Sequence, residues 1–324
     1  MMRNDLPAPP RHSGAALPLI SLDYLIALSP ILIANLLRNG PRTLVMVLLS
    51  ALVAAATEAL CEALLRRRIT VWDGSAAIDG VILALLLPAT APLWTVLLLA
   101  LCMTVVFKVL WGGQGKCPVH PALGAYALLF PFLRFLLQSY PAADRILPPF
   151  AASVPGDGSE TVLDQLMRGV YPADRMTNAL LRGELLDVMG GLFPLLLLLS
   201  LVYLVARRRV QAVQPLFTVM PLFILALVLP RTSMPSDTMA VSYAALQALS
   251  GSLLFLAVIP ASHPAYAPRT YRGKAVFGIG VGVIVWLIRY FGILSDGAVY
   301  GVVAMQLLIP LLDRAFRARH YGQD

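Results

Sequence analysis

Charged side chains are scarce in this sequence. Asp, Glu, Lys and Arg make up 13% of its 324 residues, whereas hydrophobic residues make up 59%. Soluble domains are typically about a quarter charged, so this deficit excludes a water-soluble globular protein. Apolar runs as long as a membrane-spanning helix, about 20 residues, recur along the chain. They lack the alternating pattern of a transmembrane barrel, and the sequence therefore predicts an all-α, polytopic membrane protein.

Cysteines and the motifs of soluble enzymes are also scarce. Cys61, Cys102 and Cys117 lie in apolar settings and are too few for a disulfide framework. The sequence contains no P-loop, nucleophile elbow or zinc-protease motif. The GIGVG stretch at 278–282 lies inside an apolar run, where helix packing accounts for its glycines. We therefore predict no catalytic residue, and any enzymatic role would belong to a larger complex.

The net charge of +8 raises the possibility of nucleic-acid binding. In a membrane protein, Arg and Lys more simply anchor the cytoplasmic loops, so we predict a lipid bilayer and no nucleic acid as the partner. The first apolar run begins near Leu17, after a polar leader that contains Asp5 and several prolines but no clear cleavage site. This pattern favours a retained first helix over a signal peptide.

Two stretches of the chain are nearly the same. DGVILALLLPATAP at 79–92 and SGSLLFLAVIPASHP at 250–264 share one glycine and two prolines in the same order. A second pair, GQGKCPVHPALGAYALLFPFL from Gly113 and GILSDGAVYGVVAMQLLIPLL from Gly292, has the same spacing from glycine to proline. Two such frames in the same order indicate an internal duplication.

Each half holds five hydrophobic segments, so the second half enters the membrane from the opposite side as an inverted repeat. The third segment of each half is short and flanked by Pro or Gly, as expected of a broken helix covered by protein. We predict about ten transmembrane helices in two inverted five-helix repeats. The predicted parts are a cytoplasmic N-terminal tail at 1–17, the first repeat at 18–138, an extracytoplasmic loop at 139–187, the second repeat at 188–317 and a cytoplasmic C-terminal tail at 318–324.

The positive charges favour one orientation of this arrangement. With the N-terminus inside, both triple-arginine runs, 66–68 and 207–209, fall on the cytoplasmic face, as the positive-inside rule requires. The long loop at 139–187, which is rich in acidic residues, then lies outside.

The residues also resemble a known family, the RnfD/NqrB family. YRGKAVFGIGVGVIVWLIRYFGILSDGAVYGVVAMQLLIPLLDR at 271–314 looks like RnfD, a membrane component of Rnf-type electron-transport complexes, and is similar to NqrB of the sodium-translocating NADH:quinone reductase. AAIDGVILALLLPATAPLW and FKVLWGGQGKCPVHPALGAYALL in the first half resemble the same family. The resemblance implies a core like that of urea transporters, other subunits as partners and the bacterial inner membrane as location.

The resemblance also implies flavin. It implies an FMN joined through phosphate to a threonine of the exterior loop, and a second, non-covalent flavin such as riboflavin. GSETVLDQLMRG makes Thr161 the best match, and Thr177 is a second candidate with a poorer register. Glu160 and Val162 depart from the family's Ala and Pro, and a carboxylate beside an incoming phosphate is unfavourable. Covalent FMN at Thr161 and no covalent flavin at all therefore both remain open.

Further candidates surround the predicted broken helices. Gly112, Gly113 and Gly115 form a loop whose amide groups could meet a flavin edge, or the loop is only a tight turn. Cys117 and His120 stand where the family has Asn, and His263 stands where it has Asp. Their number and spacing fall short of a metal site, so we predict no metal.

Ionisable residues in or near the apolar runs are costly and therefore face a protein interior or the interface. Asp79, His263 and Asp296 are our candidates for an ion path. Lys108 and Arg289 lie near helix ends, where the side chains could reach the interface or form a structural ion pair. The family resemblance implies a membrane subunit that carries electrons through flavin and couples them to ion movement. The alternative is a pore, transporter-like or assembly protein of the same fold without redox chemistry.

Overall fold

A computed structural model describes residues 17–66, 71–140, 146–151, 160–169, 176–184, 186–231, 237–292, 294 and 296–316. The predicted tails at 1–17 and 318–324 lie outside these residues, apart from the backbone of Leu17. The described part is helical and contains no strand, which confirms the all-α prediction. Its helices are α1 (Leu17–Asn39), α2 (Pro41–Leu64), α3 (Ser75–Leu85), α4 (Leu93–Thr104), α5 (Pro121–Leu137), α6 (Val162–Met167), α7 (Met176–Leu181), α8 (Pro194–Ala206), α9 (Val213–Val228), α10 (Asp237–Leu249), α11 (Leu253–Val258), α12 (Tyr271–Phe291), α13 (Ala298–Leu307) and α14 (Ile309–Ala315).

Three helices are long and apolar enough to cross a membrane: α1, α2 and α12. The bent pair α13 and α14, which meet at 51°, makes a fourth span if it is counted as one. Six shorter apolar helices of 10–17 residues accompany them among the described residues. The protein is thus a polytopic helical membrane protein, and the count of ten spans stays a prediction.

Both duplicated stretches are broken helices. In the first, α3 ends at Leu85, three residues before Pro88, and residues 86–92 continue as buried, non-helical chain. In the second, the chain breaks at 250–252 between α10 and α11. The carbonyl groups freed by the first break are satisfied from elsewhere, because Gly190 N–H donates to Leu85 O and Met189 N–H to Leu87 O. These two carbonyl groups at the buried break therefore keep hydrogen bonds, as an apolar surrounding requires.

The two halves use corresponding helices in the same order. In the first half, α2 packs on α3 and α4, and α4 packs on α5. In the second half, α9 packs on α10 and α12, and α12 packs on α13. Helices α1 and α8 contact each other across the halves. This order agrees with the duplication indicated by the sequence, while the inverted ten-helix repeat stays a prediction.

Arginines of both triple runs lie at the same end of α1. Asp23, near the start of α1, accepts from Arg207 Nε at 3.1 Å and from Arg209 Nε at 2.5 Å. Because α1 and α2 are joined only through Gly40 and have almost equal lengths, the end of α2 and Arg66 return to that same end. Arg67 and Arg68 lie outside the described residues. The described arginines of both runs thus lie at the same end of the molecule. The membrane face at which this end lies stays a prediction.

Gly80 allows α2 and α3 to approach closely. Ser50 Oγ donates to Gly80 O at 2.7 Å, and a Cβ on Gly80 would lie 2.8 Å from Ala51 Cα. We expect Gly80→Ala to destabilise the protein by about 1–3 kcal/mol, because backbone must move. Unfolding in detergent micelles measures this cost. Gly280→Ala is the matched control, since its new methyl would meet only the flexible end of Met305; equal losses for the two variants would contradict the packing argument.

Candidate functional site

A buried group of ionisable side chains lies where α2, α3 and the end of α4 meet. We call it the Asp79 cluster; its members are Glu58, Ser75, Asp79, Lys108 and His120. All five are less than a tenth exposed. They come from α2, from the first two turns of α3, from the turn that follows α4 and from the residue before α5. The cluster thus joins four separate elements of the first half.

A π-helical turn at Val105–Val109 carries Lys108 into the interior. Such turns insert an extra residue into a helix and frequently occur at functional sites. Lys108 is 1% exposed, and its Nζ lies 2.9 Å from Glu58 Oε1 and 2.7 Å from Ser75 Oγ. The expectation that Lys108 reaches the membrane interface was wrong, because the π turn directs its ammonium group to a carboxylate inside the protein.

Asp79 and His120 face each other with unused hydrogen-bonding capacity. Asp79 Oδ1 lies 3.6 Å from His120 Nε2, and Asp79 Oδ2 lies 3.8 Å from Lys108 Nζ. Asp79 is 2% exposed and His120 is fully buried. Within the described structure, Asp79 Oδ2 and both ring nitrogens of His120 have no hydrogen-bond partner. Buried polar atoms in this state are rare and require an explanation.

Aromatic and histidine side chains of the second half complete the surroundings of His120. Its ring centroid lies 5.9 Å from that of His263 and 4.9 Å from that of Tyr266. Tyr24 of α1 packs on His263 with centroids 4.9 Å apart. The main chain also joins the halves here, because His120 N–H donates to Gln306 Oε1 at 3.0 Å. The structure therefore brings the predicted residues Asp79, His120 and His263 together.

The glycine loop closes the turn after the π helix. Gly112, Gly113 and Gly115 all have positive φ angles of 91°, 113° and 74°, a region that glycine adopts without a steric penalty. Their amide groups already have acceptors: Val109 O, Lys108 O and the Tyr266 hydroxyl, respectively. The described geometry is that of a tight turn, and it leaves these three N–H groups unavailable to a flavin edge.

Cys117 is buried at 4% exposure and follows this loop. No group of three or more His, Cys, Asp or Glu residues in the described ranges could hold a metal ion. The functional assignments of Cys117 and of the glycine loop as cofactor ligands stay predictions.

A second, mostly buried group lies at the break in the second half, and Asp187, at the end of the preceding loop, also belongs to it. Asp296 is its more accessible member, with a side chain that is 23% exposed. We call it the Asp296 cluster; its members are Asp187, Gln247, Gly251, Arg289 and Asp296. Arg289 Nη2 donates to Asp296 Oδ1 at 3.2 Å, and Arg289 Nη1 donates to Gln247 O. Arg289 is 4% exposed, so the expectation that it reaches the interface was also wrong. Each half thus places a buried cation beside its broken helix.

Carboxylates of the Asp296 cluster also hold the second break. Asp296 Oδ2 accepts from Ser252 N–H at 2.7 Å, and Asp187 Oδ2 accepts from Gly251 N–H at 2.6 Å. Both carboxylate oxygens of Asp296 therefore already accept hydrogen bonds, from Arg289 and from backbone amides. Asp296 as an ion-path residue stays a prediction, and its described contacts are those of a structural group.

Thr161, the best match to the flavin motif, caps a short helix. It precedes α6, accepts from Asp164 N–H at 3.2 Å and donates its hydroxyl proton to Asp164 Oδ2 at 2.7 Å. Thr161 N–H donates to the same carboxylate, which completes a capping box. Thr161 is only 6% exposed. A phosphate ester at its oxygen would remove the donated hydrogen bond and place negative charge beside the Asp164 carboxylate, so the residues present do not fit covalent FMN as they stand. The side chain of Thr177 lies outside the described residues.

Comparisons with known proteins cover nearly the whole chain. The model of the NQR2, RnfD, RnfE family matches residues 7–322. The chain is 28% identical to the D subunit of the ion-translocating oxidoreductase complex of Mannheimia succiniciproducens over 352 residues, which covers 98% of this chain and 97% of the relative. It is also 28% identical to the protein of the same name from Escherichia coli O7:K1, with 97% of each chain covered. The D subunit of the Na(+)-translocating ferredoxin:NAD(+) oxidoreductase complex of Acetobacterium woodii is 28% identical over 314 residues, with 96% of this chain and 92% of the relative covered.

Proposed function

The chain belongs to the NQR2, RnfD, RnfE family, and from this premise we propose that it is a subunit of a membrane complex that couples electron transfer to the movement of an ion. Its relatives are named as subunits of ion-translocating oxidoreductase complexes, one of them a ferredoxin:NAD+ oxidoreductase. We propose that the other subunits of such a complex are its partners. We also propose the bacterial inner membrane as its location, with both termini in the cytoplasm.

The Asp79 cluster is the observation that carries this proposal. An ionisable side chain costs several kcal/mol inside a membrane, and such residues mark ion pathways and proton relays. A purely structural ion pair would need only Lys108 and Glu58, which already contact each other at 2.9 Å. The chain nevertheless adds Asp79 and His120, both buried and incompletely bonded. A site that must bind and release an ion accounts for these extra groups.

The flavin of the family resemblance has less support in this chain. The capping box at Thr161 favours a protein without covalent FMN. We expect the purified protein to show no flavin fluorescence in its band on a denaturing gel. A fluorescent band that disappears in Thr161→Ala would contradict this expectation and establish the covalent site. Flavin in the acid extract alone would instead indicate a non-covalent cofactor such as riboflavin.

A gene deletion tests whether the protein is a working subunit of such a complex. We expect deletion of its coding sequence in its own host to abolish ion uptake driven by reduced ferredoxin or NADH in inverted membrane vesicles. A plasmid copy should restore the uptake, and the tagged protein should copurify in mild detergent with redox subunits. A protein that purifies alone, together with undiminished uptake in the deletion strain, would contradict the proposal and favour a separate transporter or pore.

A further inference from the structure

We infer that Asp79 and His120 bind a proton between them, so that the ion handled at this site is H+ and not Na+. The transport of that proton rests on the proposed function, whereas its binding does not. The carboxyl group of Asp79 and the imidazole of His120 come from different elements and lie 3.6 Å apart. Both face each other in a place that is closed to bulk water, since neither is more than 2% exposed.

Charge balance in the Asp79 cluster calls for one more positive charge. Glu58 and Asp79 each carry a negative charge when ionised, and Lys108 supplies one positive charge to both. With His120 neutral, the group has a net charge of −1. An uncompensated buried charge is costly, so uptake of one monovalent cation neutralises these four side chains. The neighbouring carboxyl groups of Glu62 and Asp73 act in the same direction and also favour a cation here. Release of that cation returns the cluster to its charged state.

The atoms around the carboxyl group of Asp79 favour a proton over a metal cation. Oδ2, which has no hydrogen bond in the described structure, lies 3.8 Å from the cationic Nζ of Lys108. Na+ is a hard cation, and hard cations take several oxygen ligands. Here Asp79 Oδ1 faces a ring nitrogen of His120, with the rings of His263 and Tyr266 beyond it. Both nitrogens of His120 and Asp79 Oδ2 have no hydrogen bond within the described structure. A carboxylate and an imidazole can share one proton with no further ligand, and His is the side chain suited to exchange it near neutral pH.

His263 lies in the connector between α11 and α12 and is a second imidazole beside His120. Its Nδ1 accepts from Ala265 N–H at 3.3 Å. Neutral His263 therefore carries its proton on Nε2, the other ring nitrogen. His263 is 8% exposed, whereas His120 is fully buried. A proton that leaves His120 thus meets a second imidazole, of defined tautomer, on the way to the surface.

The pH dependence of the site includes every titratable group that faces it. Lys108, Glu58 and Asp73 act on Asp79. Lys108, Asp73 and Glu62 act on Glu58. On the other side, the charged and titratable neighbours of His120 and of the aromatic rings around it are His263, Lys108, Tyr266, Cys117, Tyr24 and Arg209. Within this set, Asp79 and His120 face each other, and each has polar atoms without a hydrogen bond in the part of the chain that the structure describes.

A spectroscopic experiment tests proton binding without turnover. Infrared difference spectra of the purified full-length protein between low and high pH should contain the carbonyl band of a protonated carboxylic acid. We expect Asp79→Asn to lose that band and His120→Asn to shift its pH midpoint. Asp313→Asn is the control, because its partly exposed carboxylate pairs with exposed Arg269 at the surface; it should retain the band. A band unchanged in Asp79→Asn, in protein that elutes as a monodisperse peak, would overturn the inference.

A transport experiment separates the two ions. In inverted vesicles that contain the whole complex, wild-type protein should acidify the lumen in sodium-free buffer, and Asp79→Asn should lose this acidification. Radioactive sodium uptake that persists with a protonophore, with no acidification in sodium-free buffer, would overturn the proton assignment and leave the proposed function standing. No uptake of either ion by the wild-type complex under active electron transfer would contradict the proposed function itself.

Discussion

Replacing Lys108 by Met should prevent stable folding of the protein. The substitution keeps the length of the side chain but removes the cation that contacts Glu58 and Asp79. Two carboxylates that are 3% and 2% exposed would then share the interior without compensation. Removal of one partner of a buried ion pair costs about 3–5 kcal/mol, a large fraction of the stability of a typical protein. Yield of monodisperse protein and the free energy of unfolding in micelles measure the loss.

Two further variants separate charge from packing in this result. Lys116→Met removes a lysine that is exposed beside the glycine loop, and it should leave stability unchanged. Lys108→Met combined with Glu58→Gln removes one buried charge of each sign and should recover part of the loss. If the double variant is no more stable than Lys108→Met alone, the ion pair is not the reason for the effect.

Replacing Arg42 by Met should have a comparably large effect on stability. The guanidinium group is fully buried and donates to Ala89 O at 2.8 Å, Ala91 O at 2.9 Å and Ala151 O at 2.8 Å. It thus ties the broken stretch after α3 to α2 and to the segment at 146–151. Hydrogen bonds to a charged group contribute about 1.5–3 kcal/mol each, so loss of three should reduce the free energy of unfolding by several kcal/mol.

The geometry of the Arg42 site allows two controls. Arg42→Lys should rescue little, because an ammonium group cannot reproduce the planar fork that reaches several carbonyls. Arg182→Met removes an arginine whose side chain is 75% exposed and pairs with Glu184, itself 57% exposed; such a pair contributes little. Equal stability of Arg42→Met and the wild type would mean that the carbonyls of the break find other donors.

The helical fold and its breaks could be predicted because local signals specify them. Low charge and long apolar runs predict membrane helices, and Pro88 predicts the end of α3, since a residue before proline avoids the helical conformation. The glycine and proline frames at 79–92 and 250–264 mark both broken helices. The capping box at Thr161 also had a local signal, the Thr-x-x-Asp pattern at 161–164. From the sequence we interpreted the same residues as a flavin motif and did not predict the cap.

The contacts of the site could not be predicted in the same way, because they join distant parts of the chain. Lys108 and Glu58 are 50 residues apart, and His120 N–H meets Gln306 Oε1 across 186 residues. Periodicity places Lys108 near the end of a helix and does not reveal the π turn that directs it inward. Arg42, Ser75, Tyr266 and Asp187 carry no sequence motif, and only the tertiary structure shows what they contact.

The most direct test of the central claim is the number of protons taken up per electron transferred. Inverted vesicles with equal amounts of complex that contains wild-type, Asp79→Asn or Asp313→Asn protein would be compared under steady ferredoxin oxidation. The coupling site described here predicts that proton uptake per electron is lost in Asp79→Asn and retained in Asp313→Asn. Unchanged uptake per electron in Asp79→Asn would contradict a coupling role for the buried cluster.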